Sequence, residues 1–264
     1  MKIFLILIFL VPNAFALDEC FTYKIKDQLK SAGQCQKRYP PQSTFKMAIS
    51  MMGFDAGILK DSKHPLVPFK KGYPASLESW KSPQDPQSWI KNSCVWYSQF
   101  VTHNLGMERF KKYLKQFNYG NQDVSGTKYK PDALATGWIT SSLKISPEEE
   151  VIFLEKFLDS KLGLKKEAEI HTKEILFLEE LANGWKVYGK TGAGDLLNKD
   201  GTNSKEFERG WFVGWAEKKS ERIIFAQYLE EKNLKTKENN FSYIASKKAK
   251  ALAVEKIIHL IKLD

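Results

Sequence analysis

Between residues 43 and 59 apolar residues fall on nearly every face of a helix. Phe45, Met47, Ala48, Ile49, Met51, Met52, Phe54 and Ile58 would cover almost all faces of a helix, so the pattern predicts one buried on every side. Pro40 and Pro41 stand just before it and set its start. A one-sided pattern follows Ser146-Pro147-Glu148-Glu149. Here Ser146 reads as the N-cap, Pro147 as the first helical residue and Glu149 as the closing residue of a capping box. Val151, Leu154, Phe157, Leu158 and Leu162 then form one apolar face. Further on, Trp185 to Tyr188, Trp211 to Trp215 and Arg222 to Leu229 are rich in aromatic and β-branched residues and read as strands, the last two joined by a polar turn from Lys218 to Ser220. A helix from about Ser246 to Leu263 would pack Leu252, Val254, Ile257, Ile258 and Ile261 back on them. The stretch from His64 to Pro86, rich in proline, lysine and glycine, is expected to be irregular.

Phe21, Tyr23 and Ile25 alternate with polar residues as in a half-buried strand, so strand-like sequence stands at both ends and helical sequence between them. This order predicts an α+β fold: an antiparallel sheet formed by both chain ends, packed with helices, plus a helical lobe, with a ligand cleft between lobe and sheet. At 264 residues and 42% hydrophobic content, one catalytic domain over residues 17–264 accounts for the length.

Residues 1–16 change the compartment. Lys2, the apolar run Ile3 to Val11 and the small-residue pattern Ala14-Phe15-Ala16 describe a signal peptide cut after about Ala16, which implies a periplasmic protein. The run is about half of the roughly 20 apolar residues a membrane span needs, so no stable membrane anchor is expected. Asp18-Glu19 before Cys20 disfavours a lipid anchor there. In an oxidising compartment a hairpin would bring Cys20 and Cys35 together as a disulfide and leave Cys94 free. The net charge of +10 invites a nucleic-acid reading, but only Arg38, Arg109, Arg209 and Arg222 are arginines and the lysines are spread along the whole chain. No nucleic-acid partner is expected. His64, His103, His171 and His259 lie far apart without ligand spacing, so no metal is expected either. Oligomeric state has no sequence signature here.

Ser-x-x-Lys occurs four times, at Ser43, Ser88, Ser125 and Ser141, and the pattern alone says little. Only Ser43-Thr44-Phe45-Lys46 opens the helix that is apolar almost all round. Residues three apart on a helix are neighbours, so the Ser43 hydroxyl and the Lys46 amine can meet. Desolvation lowers the lysine pKa, and a serine needs such a base to become a nucleophile. Lys190-Thr191-Gly192 occurs once, expected where an edge strand from Trp185 ends, followed by Ala193 and Gly194. There a flat substrate could lie along the backbone, its carboxylate on Lys190 and Thr191, with the N–H groups of Ser43 and Ala193 as an oxyanion hole.

Ser-x-x-Lys early and Lys-Thr-Gly late form the signature of the penicillin-recognising serine enzymes. With Ser93-Cys94-Val95 and Tyr119-Gly120-Asn121 between them, and with Gly137-Trp138, Leu143 to Glu149 and Gly210 to Trp215, the chain from about Cys20 onward closely resembles the class D (oxacillinase-type) β-lactamases. The resemblance implies hydrolysis of the β-lactam amide of penicillins through an acyl-enzyme on Ser43, with Lys46 as general base after reaction with CO2 or bicarbonate to a carbamate. It also implies that the Trp138 indole holds the carbamate and that Ser93 moves protons between it, Lys190 and the substrate nitrogen. Val95 and Leu143 become apolar walls, Tyr119, Gly120 and Asn121 site architecture, and Leu77 and Trp80 either a rim over the substrate or simple packing. Two departures stand out. No arginine follows Arg222, where many members bind the substrate carboxylate, which leaves Lys190, Thr191 and a hydroxyl near Ser242. Cys94 occupies the middle of the Ser-x-Val motif, its side chain expected to face away from the cleft. The alternatives of the same fold are a β-lactam-sensing receptor domain and a peptidoglycan transpeptidase or carboxypeptidase, both of which deacylate slowly.

Overall fold

The computed structural model describes residues 17–181, 184–198, 200–232 and 244–263, so the proposed leader 1–16 lies outside the described residues. Strands β1 (Glu19–Ile25) and β2 (Gln28–Gly33) form an N-terminal hairpin. Four more strands come late in the chain: β3 (Phe177–Glu180), β4 (Lys186–Leu197), β5 (Asn203–Lys218) and β6 (Glu221–Lys232). They make one six-stranded sheet in the order β2-β1-β6-β5-β4-β3, every neighbouring pair antiparallel. The two chain ends meet where β1 pairs β6, with Cys20 opposite Tyr228.

Between the hairpin and β3 run α1 (Lys46–Asp55), α2 (Pro86–Asn92), α3 (Val95–Leu105), α4 (Met107–Phe117), the short α5 (Ala133–Thr136), α6 (Pro147–Leu158) and α7 (Lys166–Leu176). Every residue of α1 from Lys46 to Phe54 is buried, as its unbroken apolar pattern requires. The start of α6 is the expected capping box: Glu149 N donates to Ser146 Oγ at 3.2 Å and Ser146 N to Glu149 Oε2 at 2.9 Å. The His64–Pro86 stretch carries only a bridge between Val67 and Gln84 and a 3₁₀ turn, Glu78–Lys81. One hydrophobic core joins these helices to the sheet face bearing Trp211, Val213, Trp215 and Tyr228.

The last helix, α8 (Ile244–Leu263), covers the other face. Of the stripe expected of it, Ile257 is fully buried and Leu252, Val254 and Ile261 pack half-buried against the sheet, whereas Ile258 stays 36% exposed. Ala245, Ala249 and Ala253 are fully buried beside them. At its start the helix comes close to β5, where a Cβ on Gly210 would stand 2.1 Å from the carbonyl carbon of Ala245.

Cys20 and Cys35 form a disulfide across the base of the hairpin, with Cα atoms 5.1 Å apart, and Cys94 is free and buried. Replacing both half-cystines with alanine is expected to lower the unfolding free energy by about 3 kcal/mol, from the loop-closure entropy restored to the unfolded chain. Urea titration of the pair variant against the parent measures this. No change in midpoint would mean that the hairpin is held by its sheet pairing alone.

Candidate functional site

Ser43 does not sit in an α-helix. It lies in a 3₁₀ turn, Gln42–Phe45, that leads into α1. A 3₁₀ turn has three residues per turn, so side chains at i and i+3 eclipse, which sets Lys46 directly over Ser43. The Lys46 amine donates to Ser43 Oγ at 2.9 Å. The turn is pinned at both sides: Gln42, at φ 55°, donates from its N–H to the Trp138 carbonyl at 3.0 Å, and the Thr44 hydroxyl donates to the Pro41 carbonyl at 2.7 Å.

Lys46 is fully buried and, among the described residues, pairs with no carboxylate. Burial first, and the neighbouring Lys190 charge second, hold its amine well below the usual lysine range. Lys190, 5% exposed, is pushed down to about 8 by burial. Its amine donates to the Thr191 carbonyl at 3.1 Å.

Lys190-Thr191-Gly192 stands in the middle of β4 rather than at the end of a strand. Yet β3 pairs β4 only from Lys186 to Tyr188, so from Gly189 onward that side of β4 is open to the 3₁₀ turn. Glycine makes the approach possible. A Cβ on Gly192 would come within 2.9 Å of the Pro41 carbonyl oxygen, and one on Gly194 within 2.6 Å of the Gln42 side chain. Thr191 and Ala193, alternating with these glycines, are half-buried.

Ser93 ends α2 in a left-handed conformation, φ 54°, and Val95 opens α3; both are half-buried. The Ser93 hydroxyl makes no hydrogen bond among the described residues. Cys94, between them, is fully buried, and burial pushes its thiol up to about 11. Trp138 is wholly buried with its ring centroid 5.5 Å from that of Phe45, and its indole N–H finds no acceptor among the described residues. Leu143 is fully buried behind it, its N–H donating to the Gly137 carbonyl at 3.1 Å.

Gly120 has φ +53°, and a Cβ there would strike the Lys144 carbonyl oxygen at 2.1 Å. Asn121 ties the same segment down, donating from Nδ2 to the Ser142 carbonyl and accepting from the Lys144 N–H, each at 2.9 Å. Both hold the loop that presents Leu143. Tyr119 is buried, its hydroxyl donating to Glu150 Oε1 at 2.9 Å. Leu77 is 36% exposed, whereas Trp80 is buried, donating to the Asn92 carbonyl at 2.8 Å and accepting from the Trp96 indole at 2.9 Å through its own carbonyl. Of the two, Leu77 is the more exposed. Ser242 lies outside the described residues.

Three residues of this centre escaped sequence reasoning: Gln42, Thr44 and Glu150. Glu150 carried a signal, because residues 150, 153, 154 and 157 share one face of α6, so an acid stands in an otherwise apolar stripe. Among the described residues no group of three or more His, Cys, Asp and Glu side chains could hold a metal ion. A surface cavity of about 580 Å³ at Lys24, Glu155, Trp185 and Arg222 contains none of the residues above.

The chain is similar to known proteins in both sequence and fold. The penicillin binding protein transpeptidase domain matches residues 20–257. β-Lactamase OXA-9 of Klebsiella pneumoniae is 40% identical over 200 residues, 75% of this chain and 73% of that protein. β-Lactamase OXA-1 of Escherichia coli is 42% identical over 197 residues, 74% of this chain and 68% of its own length. The crystal structure of the class D β-lactamase OXA-427 superposes with a TM-score of 0.84 at 35% identity, covering 92% of this chain and 98% of that one. With sequence and fold in agreement over most of its length, the chain belongs to the class D serine β-lactamases and is a β-lactam-hydrolysing enzyme.

Proposed function

We propose that this enzyme hydrolyses penicillins of the oxacillin type, with Ser43 as the acylated nucleophile and Lys46, as its carbamate, as the general base. The observation that carries the reading is the Lys46 amine: fully buried, without a counter-ion among the described residues, and 2.9 Å from Ser43 Oγ. An amine that gives up its proton in such a place is able to combine with CO2. The unpartnered indole N–H of Trp138 is the donor an anion at Lys46 would need, so the residues present fit the group. The carbamate supplies an oxygen anion, a better proton acceptor than a charged lysine.

The rest follows from this chain's own side chains. Ser43 Oγ attacks the lactam carbonyl as its proton leaves toward the Lys46 side, and the lactam C–N bond breaks while the ring nitrogen takes a proton by way of Ser93 Oγ. The Ser43 and Ala193 N–H groups hold the carbonyl oxygen as its charge grows. Lys190 and Thr191, with a hydroxyl near Ser242, bind the substrate carboxylate, and Gly192 lets the ring lie close along β4. Val95 and Leu143 keep the base dry, Tyr119, Gly120 and Asn121 hold the site's frame, and Leu77 touches the substrate side chain. Water then enters, gives up a proton on the Lys46 side as its oxygen attacks the acyl carbon, and the bond from that carbon to Ser43 Oγ breaks while the same proton returns to Oγ, freeing Ser43 and the ring-opened acid. Residues 1–16 serve as the leader that exports the enzyme to the periplasm.

The test is the purified enzyme with a chromogenic cephalosporin and with oxacillin, in degassed buffer and after added bicarbonate. Continuous turnover that rises on adding bicarbonate is the expected result. A stoichiometric burst without turnover would indicate a sensor or a transpeptidase instead, and turnover indifferent to bicarbonate would remove the carbamate.

A further inference from the structure

Glu150 is fully buried on α6, and its Oε2 has no partner among the described residues. Its Oε1 accepts from the Tyr119 hydroxyl at 2.9 Å and from the Thr44 hydroxyl at 3.2 Å. The Thr44 hydroxyl proton is shared between Glu150 and the Pro41 carbonyl at 2.7 Å, which the Thr44 N–H also reaches at 3.2 Å. An ionised Glu150 would leave a charged Oε2 among buried groups without a donor, a cost that the neutral acid avoids.

We propose that Glu150 works as a neutral carboxylic acid and is a positioning residue for the nucleophile, holding Thr44 against Tyr119 so that the adjoining Ser43 stays in register with Lys46. The inference rests on Ser43 being the acylated residue. Burial above all pushes the Glu150 carboxyl up to about 7, against the lowering effect of the Tyr119 and Thr44 hydrogen bonds. The titratable groups that face it are Tyr119, from the segment after α4, and Glu149 of its own helix, itself paired with Arg38. As pH rises through about 7 the group ionises and draws the Thr44 proton away from the Pro41 carbonyl, which loosens the turn under Ser43. The unfolded carboxyl ionises near 4.5, so between that pH and about 7 the folded chain holds a proton the unfolded chain lacks, and stability falls as pH rises across that window.

The experiment compares the parent enzyme with E150Q and E150A. Glutamine cannot ionise, and its amide oxygen can still accept from the Tyr119 and Thr44 hydroxyls. At pH 6 E150Q is expected to turn over within about threefold of the parent, as one retained hydrogen bond implies. Its activity should lose the fall near pH 7 that the parent shows. E150A should lose about tenfold or more in kcat with a smaller change in KM, because the nucleophile is displaced while the binding groups remain. Infrared difference spectra at pH 6 should show a protonated-carboxyl band in the parent that E150Q lacks. Superimposable pH profiles of parent and E150Q, or the same carboxyl band in both, would overturn the proposal. If E150A does not fold, E150Q alone decides. Intact-protein mass spectrometry with penicillin, followed by peptide mapping, shows separately whether Ser43 is acylated, so failure of the functional reading is distinguishable from failure of this one.

Discussion

Alanine at Lys46 is expected to leave an enzyme that takes up β-lactam slowly and then stops. In the proposed mechanism one side chain abstracts the Ser43 proton and later the proton of the attacking water, so both half-reactions lose their base. Removing a general base typically costs 10²- to 10⁴-fold, and here the loss falls on each step. The slow first step would still be helped by the N–H groups about the carbonyl, whereas water has no substitute for the base. Intact-protein mass spectrometry should therefore find a long-lived adduct, with steady-state turnover down by at least about 10³-fold. Turnover within tenfold of the parent would mean that another group is the base.

Alanine at Ser43 should abolish the covalent adduct altogether. Deleting the nucleophile of a serine hydrolase costs on the order of 10⁶-fold in kcat, larger than any other single change at this site. The variant should still fold, because Ser43 is only half-buried and its Oγ accepts one hydrogen bond, from Lys46. The pair of variants then separates the roles: no adduct with Ser43→Ala, a trapped adduct with Lys46→Ala. Near-parental activity in Ser43→Ala would pass the role to another of the Ser-x-x-Lys serines. That outcome has no support in position, since Ser88 belongs to the capping box of α2, Ser125 is exposed, and Lys144, the lysine of the Ser141 copy, is exposed to water.

Where sequence and structure part, the physical cause is specific. The α6 capping box was legible because each of its interactions lies within four residues. The burial of α1 was legible because a helix with no polar face has to be surrounded. The apolar stripe of α8 was legible except for Ile258, but the buried Ala245, Ala249 and Ala253 were not, because hydrophobicity marks what prefers to be buried and the close approach of backbones at Gly210 exists only in three dimensions. Glu150 was passed over in a run of three acids that reads as a helix N-terminus. Only contact with Tyr119 and Thr44, 31 and 106 residues away in the chain, separates it from its exposed-side neighbours.

The amino-acid order by itself determined the chemical identity of this protein: a serine three residues before a lysine in an apolar helix, a later Lys-Thr-Gly, and the motifs between them that mark class D. These are local patterns, and local patterns survive in one dimension. The tertiary structure decided which of four Ser-x-x-Lys copies is buried against a second lysine, that the Ser43 turn is 3₁₀ rather than α, and that β4 passes the nucleophile with glycines facing it. It also lowered the Lys46 amine below the usual lysine range, since that happens only when distant segments close over the group and remove the water that would keep it protonated.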